Sequence, residues 1–180
     1  MITTKLSYEP NKWHACTKDD WATCDKAANC YSYALNEPNY YWSQPGMGFV
    51  KSLPLPYFES FNSFFEGYTL QEFMDFMING AVRDGLIKTD KPQNGKDYYT
   101  VALFFKDHPH NFDLHWYRFD DDGTWSHKNG WQLVTNKDSN GKIIIDVTIP
   151  PDPFFPVFDA YFLVPREGIV LTKEFPHAAP

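Results

Sequence analysis

The sequence predicts an α+β domain, and three observations predict it. Apolar residues at helical spacing come early, up to Arg83, whereas aromatic and β-branched runs follow from Tyr98 onward. That order separates helices from an antiparallel sheet instead of alternating them around a parallel one. Polar turn sequences, Asp120 to Gly123 and Asp138 to Gly141, divide the later runs at hairpin spacing. The length, 180 residues, supports one hydrophobic core and is short for two. The chain 1–180 is therefore read as a single domain with its core over about residues 25–172.

The first 28 residues are polar and aromatic and predict only short turns. Cys30, Tyr33 and Ala34 then fall at i, i+3 and i+4, which predicts a short helix capped by Asn29 or Asp25 and stopping near Asn36, before Pro38. Pro45, Pro54, Pro56, Gly46, Gly48 and Gly67 predict a long loop from Pro38 to Tyr68, packed through its rings. Thr69 and Glu72 form a capping box ahead of Leu70, Phe73, Met74, Met77, Ala81 and Val82, a helical stripe that Asp84-Gly85 ends. Strands are predicted at Tyr98 to Phe105, Leu114 to Phe119, Thr124 to His127, Ile143 to Val147, Ala160 to Val164 and Ile169 to Leu171.

Composition narrows the function. Sixteen Lys and Arg against 23 Asp and Glu leave a net charge of −7, with no cationic cluster for phosphate, so nucleic acid is not an expected partner. No apolar run is long enough for a membrane span, and Met1 to Pro10 does not resemble a signal peptide. The expectation is a soluble chain, cytoplasmic or exported by a non-standard route, of unspecified oligomeric state. Aromatic residues make up 18% of the chain, a share that suits a compact core or an adhesive cleft. Of the three cysteines, Cys16 and Cys24 are free to pair in an oxidising compartment, and the odd count leaves a thiol unless another chain takes it. No C-x2-C pair or H-x3-H completes a zinc site, so no metal and no cofactor are expected.

Cys30 stands at the predicted helix start, where free N–H groups and the helix dipole favour a thiolate; it is otherwise a small core residue. His115 lies in the run Leu-His-Trp-Tyr-Arg-Phe, either as a core histidine or as the base for Cys30. If Asp121-Asp122-Gly123 is a three-residue loop with Gly123 left-handed, Asp120 faces Thr124 and His115, Tyr117 and His127 share one face. A two- or four-residue loop puts His127 with Trp116 and Arg118 instead.

Asn29-Cys30-Tyr31-Ser32-Tyr33-Ala34-Leu35, Val101-Ala102-Leu103 and His115-Trp116-Tyr117-Arg118 with Asp122-Gly123, Trp125-Ser126-His127-Lys128 and Gly130 carry a resemblance. The chain resembles little-characterised proteins that share an N-C-Y-x-Y-A block and an H-W-Y-R-x-D-x-x-G-x-W-S-H-K-x-G block. Those proteins look like remote members of the papain-like, NlpC/P60-type thiol hydrolases, and the likeness runs from about Asn29 to Val164. It implies a Cys-bearing helix packed on an antiparallel sheet, with Cys30 as nucleophile, His115 as base and His127 orienting that base. Asp146 is the alternative orienting residue. Tyr31, Trp116 and Trp125 are then candidate substrate contacts, and Arg118 and Lys128 either hold a substrate carboxylate or are solvated strand charges. The implied reaction is hydrolysis of a peptide amide, with a peptidoglycan peptide as first substrate; deamidation or acyl transfer uses the same residues, and a non-catalytic binding module is the competing class.

Overall fold

In the computed structural model, which describes residues 5–9, 13, 28–38, 41–50, 63–108, 111–130 and 132–171, two helices and eight strands follow one another. They are α1 (Cys30–Ala34), β1 (Tyr41–Gln44), β2 (Gly48–Val50), α2 (Leu70–Arg83), β3 (Ile87–Thr89), β4 (Tyr98–Phe105), β5 (Leu114–Phe119), β6 (Trp125–Lys128), β7 (Val134–Thr135) and β8 (Val157–Pro165). The fold is α+β: β3 to β8 form a six-stranded antiparallel sheet in the order β3-β8-β4-β5-β6-β7. The bounds of β4 and β5 coincide with the aromatic runs that predict them.

Both faces of the sheet are covered, so β4 is buried along nearly its whole length. Val101, Leu103 and Phe105 of β4 and Leu114 and Trp116 of β5 face Tyr31 and Ala34 of α1 and Phe73, Met77 and Ala81 of α2. The alternate residues Ala102, Phe104 and Tyr117, with Trp125 of β6, pack under Ile144, Val147 and Phe155. Side chains two apart share a face of a strand, and this period divides the molecule into two cores.

The α2 capping box forms as predicted, with Glu72 N donating to Thr69 Oγ1 at 3.2 Å and Thr69 N to Glu72 Oε2 at 2.8 Å. Phe73 anchors the buried stripe, stacked on Phe112 at 4.9 Å and edge-on to Phe65 at 4.9 Å. Val82, expected in the stripe, is exposed instead. Gly80 takes its place at the contact, because a methyl group there would lie 2.4 Å from Pro45 O. The turn between β1 and β2 thus rests directly on the helix main chain.

Three of these expectations are corrected, and two strands were not predicted. The Pro38 to Tyr68 segment, read as a loop, contains the β1-β2 hairpin; its strands of four and three residues are masked by the glycines and proline that turn them. Ile143 to Val147 is not a strand but makes isolated bridges, Ile143 to Lys137 and Ile144 to Trp125. Ile169 to Leu171 is buried without strand pairing at Ile169 and Leu171, since apolar packing and not a ladder holds it. The short strands β3 and β7 have no alternating pattern long enough to read, and they exist because a neighbouring edge pairs with them. Residues 51–62 of the expected loop, with Cys16 and Cys24, lie outside the described residues.

Candidate functional site

The β5-β6 hairpin adopts the register that a three-residue loop dictates. Asp120 N donates to Thr124 O at 2.9 Å, Gly123 N to Asp120 O at 3.1 Å, and Gly123 has φ +87°. Tyr117 consequently faces His127, Arg118 faces Ser126, and Phe119 faces Trp125. His115, Tyr117 and His127 share one face, as the three-residue alternative requires, and the two imidazoles meet with His115 Nε2 2.7 Å from His127 Nδ1.

Their hydrogen bonds define the tautomers. His127 Nε2 lies 3.2 Å from Lys137 O, and a carbonyl can only accept, so His127 carries its proton on Nε2. Burial pushes both histidines below their ordinary value, His115 the further because His127 adds to the effect. In a neutral pair, His127 Nδ1 accepts and His115 Nε2 donates. The lone pair of His115 is therefore on Nδ1. His115 also stacks on Phe155 at 5.0 Å, which holds its plane.

Cys30 begins α1, where Asn29 caps the helix by accepting from Ser32 N at 3.0 Å. Its Sγ lies 3.9 Å from Leu114 O, and the Trp116 N–H is directed at it. Because Asp120 N bonds to β6, the even-numbered amides and carbonyls of β5 are directed toward that strand. β6 ends at Lys128, so the thiol takes the stretch of β5 edge that β6 leaves uncovered. Cys30 packs in the first core with Leu114 and Trp116, whereas His115 stacks on Phe155 of the second, and among the described residues no hydrogen bond joins Cys30 to either imidazole. The expectation of a thiolate-favouring site is reversed: burial pushes the Cys30 thiol up to about 12, and the Asp113 carboxylate adds to this. Backbone N–H groups of Trp116, Tyr31 and Cys30 oppose the shift without overcoming it. A helix of five residues brings too few aligned dipoles to offset the loss of water.

The other sequence candidates fall into place as follows. Tyr31 and Trp116 are buried with ring centroids 5.1 Å apart in the α1 core, and Trp125 is buried in the second core; all three pack where a substrate contact was expected. Asp146 is exposed and accepts from Thr148 N and Thr148 Oγ1, both at 2.8 Å, with no bond to either histidine. Arg118 and Lys128 are buried, against the expectation of solvated charges. Lys128 Nζ donates to Gly130 O at 2.7 Å, and burial lowers its ammonium to about 8.

Sequence reasoning missed a buried chain that joins the cysteine helix to the histidine hairpin. Tyr33 OH lies 2.6 Å from Ser126 Oγ, which donates to Asp120 Oδ2 at 2.5 Å, while Arg118 Nε donates to Asp120 Oδ1 at 2.8 Å. The Arg118 guanidinium also lies over the Tyr33 ring, 4.3 Å from its centroid. Burial pushes the Asp120 carboxyl up, against the pull of Arg118 and Ser126. Tyr33, Arg118, Asp120 and Ser126 all belong to the two sequence blocks quoted above, and their i, i+2 spacing on β5 and across the loop was the available signal. A cavity of about 620 Å³ lined by Lys5, Asn94, Phe119, Asp121 and Arg166 opens at the far end of β5 from Cys30.

Among the described residues no helix is long and apolar enough to cross a membrane, and no group of three or more His, Cys, Asp or Glu side chains is placed to hold a metal. Fold and site together define an α+β protein with a buried thiol and, separately, a hydrogen-bonded histidine pair. No family model matches the chain, and no solved structure matches it. Among curated proteins it is similar to insoluble matrix shell protein 1 of Ruditapes philippinarum, at 27% identity over 140 residues, covering 77% of this chain and 76% of that protein.

Proposed function

We propose that the chain is a cysteine-dependent amide hydrolase of papain-like, NlpC/P60-type architecture. The observation that carries this reading is the wired histidine pair, in which the bonds from Lys137 O through His127 leave His115 Nδ1 as a proton acceptor. His127 acts as the orienting residue in place of Asp146. Since the thiol is held protonated, proton transfer to His115 accompanies attack: Sγ bonds to the amide carbonyl carbon, His115 protonates the leaving amine, and water deprotonated by His115 releases the acyl group. Backbone N–H groups at the start of α1 receive the oxyanion. The substrate is a peptide amide such as a peptidoglycan peptide, with deamidation or acyl transfer open to the same residues.

A second reading, a non-catalytic matrix or binding module, draws on two observations: the raised Cys30 thiol and the likeness to a protein named for insoluble shell matrix. Iodoacetamide labelling of Cys30 against pH, read by peptide mass, separates the two. The hydrolase reading expects labelling at neutral pH that falls at least tenfold in His115→Ala. Equal rates in wild type and His115→Ala, rising only at alkaline pH, favour the module.

A further inference from the structure

Residues 136–156 join β7 to β8 across the second face of the sheet, where Ile144, Val147 and Phe155 close the core over Ala102, Phe104, Tyr117 and Trp125. Among the described residues, one main-chain to main-chain hydrogen bond fastens this cover to the sheet, from Trp125 N to Ile144 O at 2.8 Å. Others are made within the cover, such as Ser139 N to Pro151 O at 3.0 Å, Ile144 N to Asn136 O at 2.9 Å and Phe155 N to Asp152 O at 3.1 Å. A segment so lightly tied opens more readily than the strands beneath it.

Both ends of the cover rest on the histidine pair. Near its start, Lys137 O accepts from His127 Nε2 at 3.2 Å; near its end, the Phe155 ring stacks on His115 with centroids 5.0 Å apart. Between them, His115 Nε2 and His127 Nδ1 are 2.7 Å apart, a bond that needs a lone pair on one of the two nitrogens. One added proton leaves the bond in place, with His127 Nδ1 donating and the His115 proton moved to its Nδ1. A second added proton puts hydrogens on both facing nitrogens and leaves two cations in contact beneath an apolar cover. The groups around the pair can offset one charge only. Asp152, on the cover, favours a proton on His127, whereas Tyr117 of β5 is a phenol that burial holds well above its ordinary value and hence neutral. Lys137 offers its carbonyl and has an exposed side chain, and β4 and β8 bring the uncharged rings of Phe104 and Phe158 to this side.

We propose that the histidine pair is an acid-operated latch for the 136–156 cover: uptake of two protons from solvent lifts the cover while the sheet beneath stays folded. Once open, both imidazoles are hydrated and no longer face each other, so the open form binds protons more tightly and acid favours it. Opening bares Val147, Phe155 and Trp125 beside Ile143, Ile145 and Ile149, which are exposed already, and so creates a wide apolar surface in acid alone. The device needs no substrate and is independent of the hydrolase reading.

Hydrogen exchange on the full chain, followed by NMR between pH 7.5 and 5 and corrected for the intrinsic pH dependence of exchange, tests this. The amides of Ser139, Ile144 and Phe155 report on the cover, and those of Val101 and Ala102 on β4, which lies between β5 and β8. With hydrated imidazoles titrating near about 6.5, uptake of two protons raises the opening constant about 1000-fold over this range, and uptake of one raises it about 30-fold. The cover amides should lose protection by about the larger factor while the β4 amides keep theirs. A loss below tenfold in the cover overturns the proposal, and so does an equal loss in cover and β4, which would be unfolding of the whole domain. His127→Gln removes one titrating ring and should cut the change to about 30-fold or less; an undiminished change in that variant assigns the opening to other groups and also overturns the latch.

Discussion

Removing the Asp120 carboxylate is the most informative perturbation of the frame that holds α1 against the hairpin. Asp120 and Arg118 are each 1% exposed. Asp120→Ala leaves the guanidinium buried with only neutral acceptors, Ser7 O at 3.0 Å and Asn36 Oδ1 at 3.4 Å. Stripping one partner from a buried pair costs about 3–5 kcal/mol, because the remaining charge is unmatched. Ser126 and Tyr33 lose the acceptor that ends their chain, a further 1 kcal/mol or so. With a urea dependence of about 2 kcal/mol per molar, the midpoint of Asp120→Ala should fall by about 2–3 M. Arg118→Met combined with Asp120→Ala removes both charges and should cost less than Asp120→Ala alone. An Asp120→Ala loss below about 1 kcal/mol, or additive effects in the double variant, would refute the claim that this pair is held by mutual neutralisation.

Two other outcomes follow from particular contacts. NMR titration should show both His115 and His127 protonating below about 6.5, His115 the lower, with each neutral ring carrying its proton on Nε2; a His115 midpoint at or above 6.5 contradicts the buried neutral pair. Since the unfolded chain takes up these protons first, the two sites withdraw stability as pH falls below about 6.5, by up to about 1.4 kcal/mol per pH unit each. Gly80→Ala should lower stability by about 2–3 kcal/mol despite the better helix propensity of alanine, because its methyl meets the Pro45 carbonyl. A higher melting temperature for Gly80→Ala is the result that rules out the close approach of helix and turn.

Local chemistry determined much of this protein. Thr69 and Glu72 define the start of α2, the aromatic runs define β4 and β5, and Gly123 after Asp121-Asp122 sets a register that brings His115 and His127 together. Each of these depends on residues near one another in the chain, where periodicity and turn geometry act directly. Tertiary structure alone decided which charges are buried. Arg118 and Lys128 read as surface strand residues, and only the arrival of Tyr33, Ser126, Asp120 and the Gly130 carbonyl provides the partners that make their burial tolerable. It likewise decided the state of Cys30: the helix start favours an anion, but packing against Leu114 and Trp116 removes water, and at a fully buried thiol desolvation outweighs the dipole of five residues.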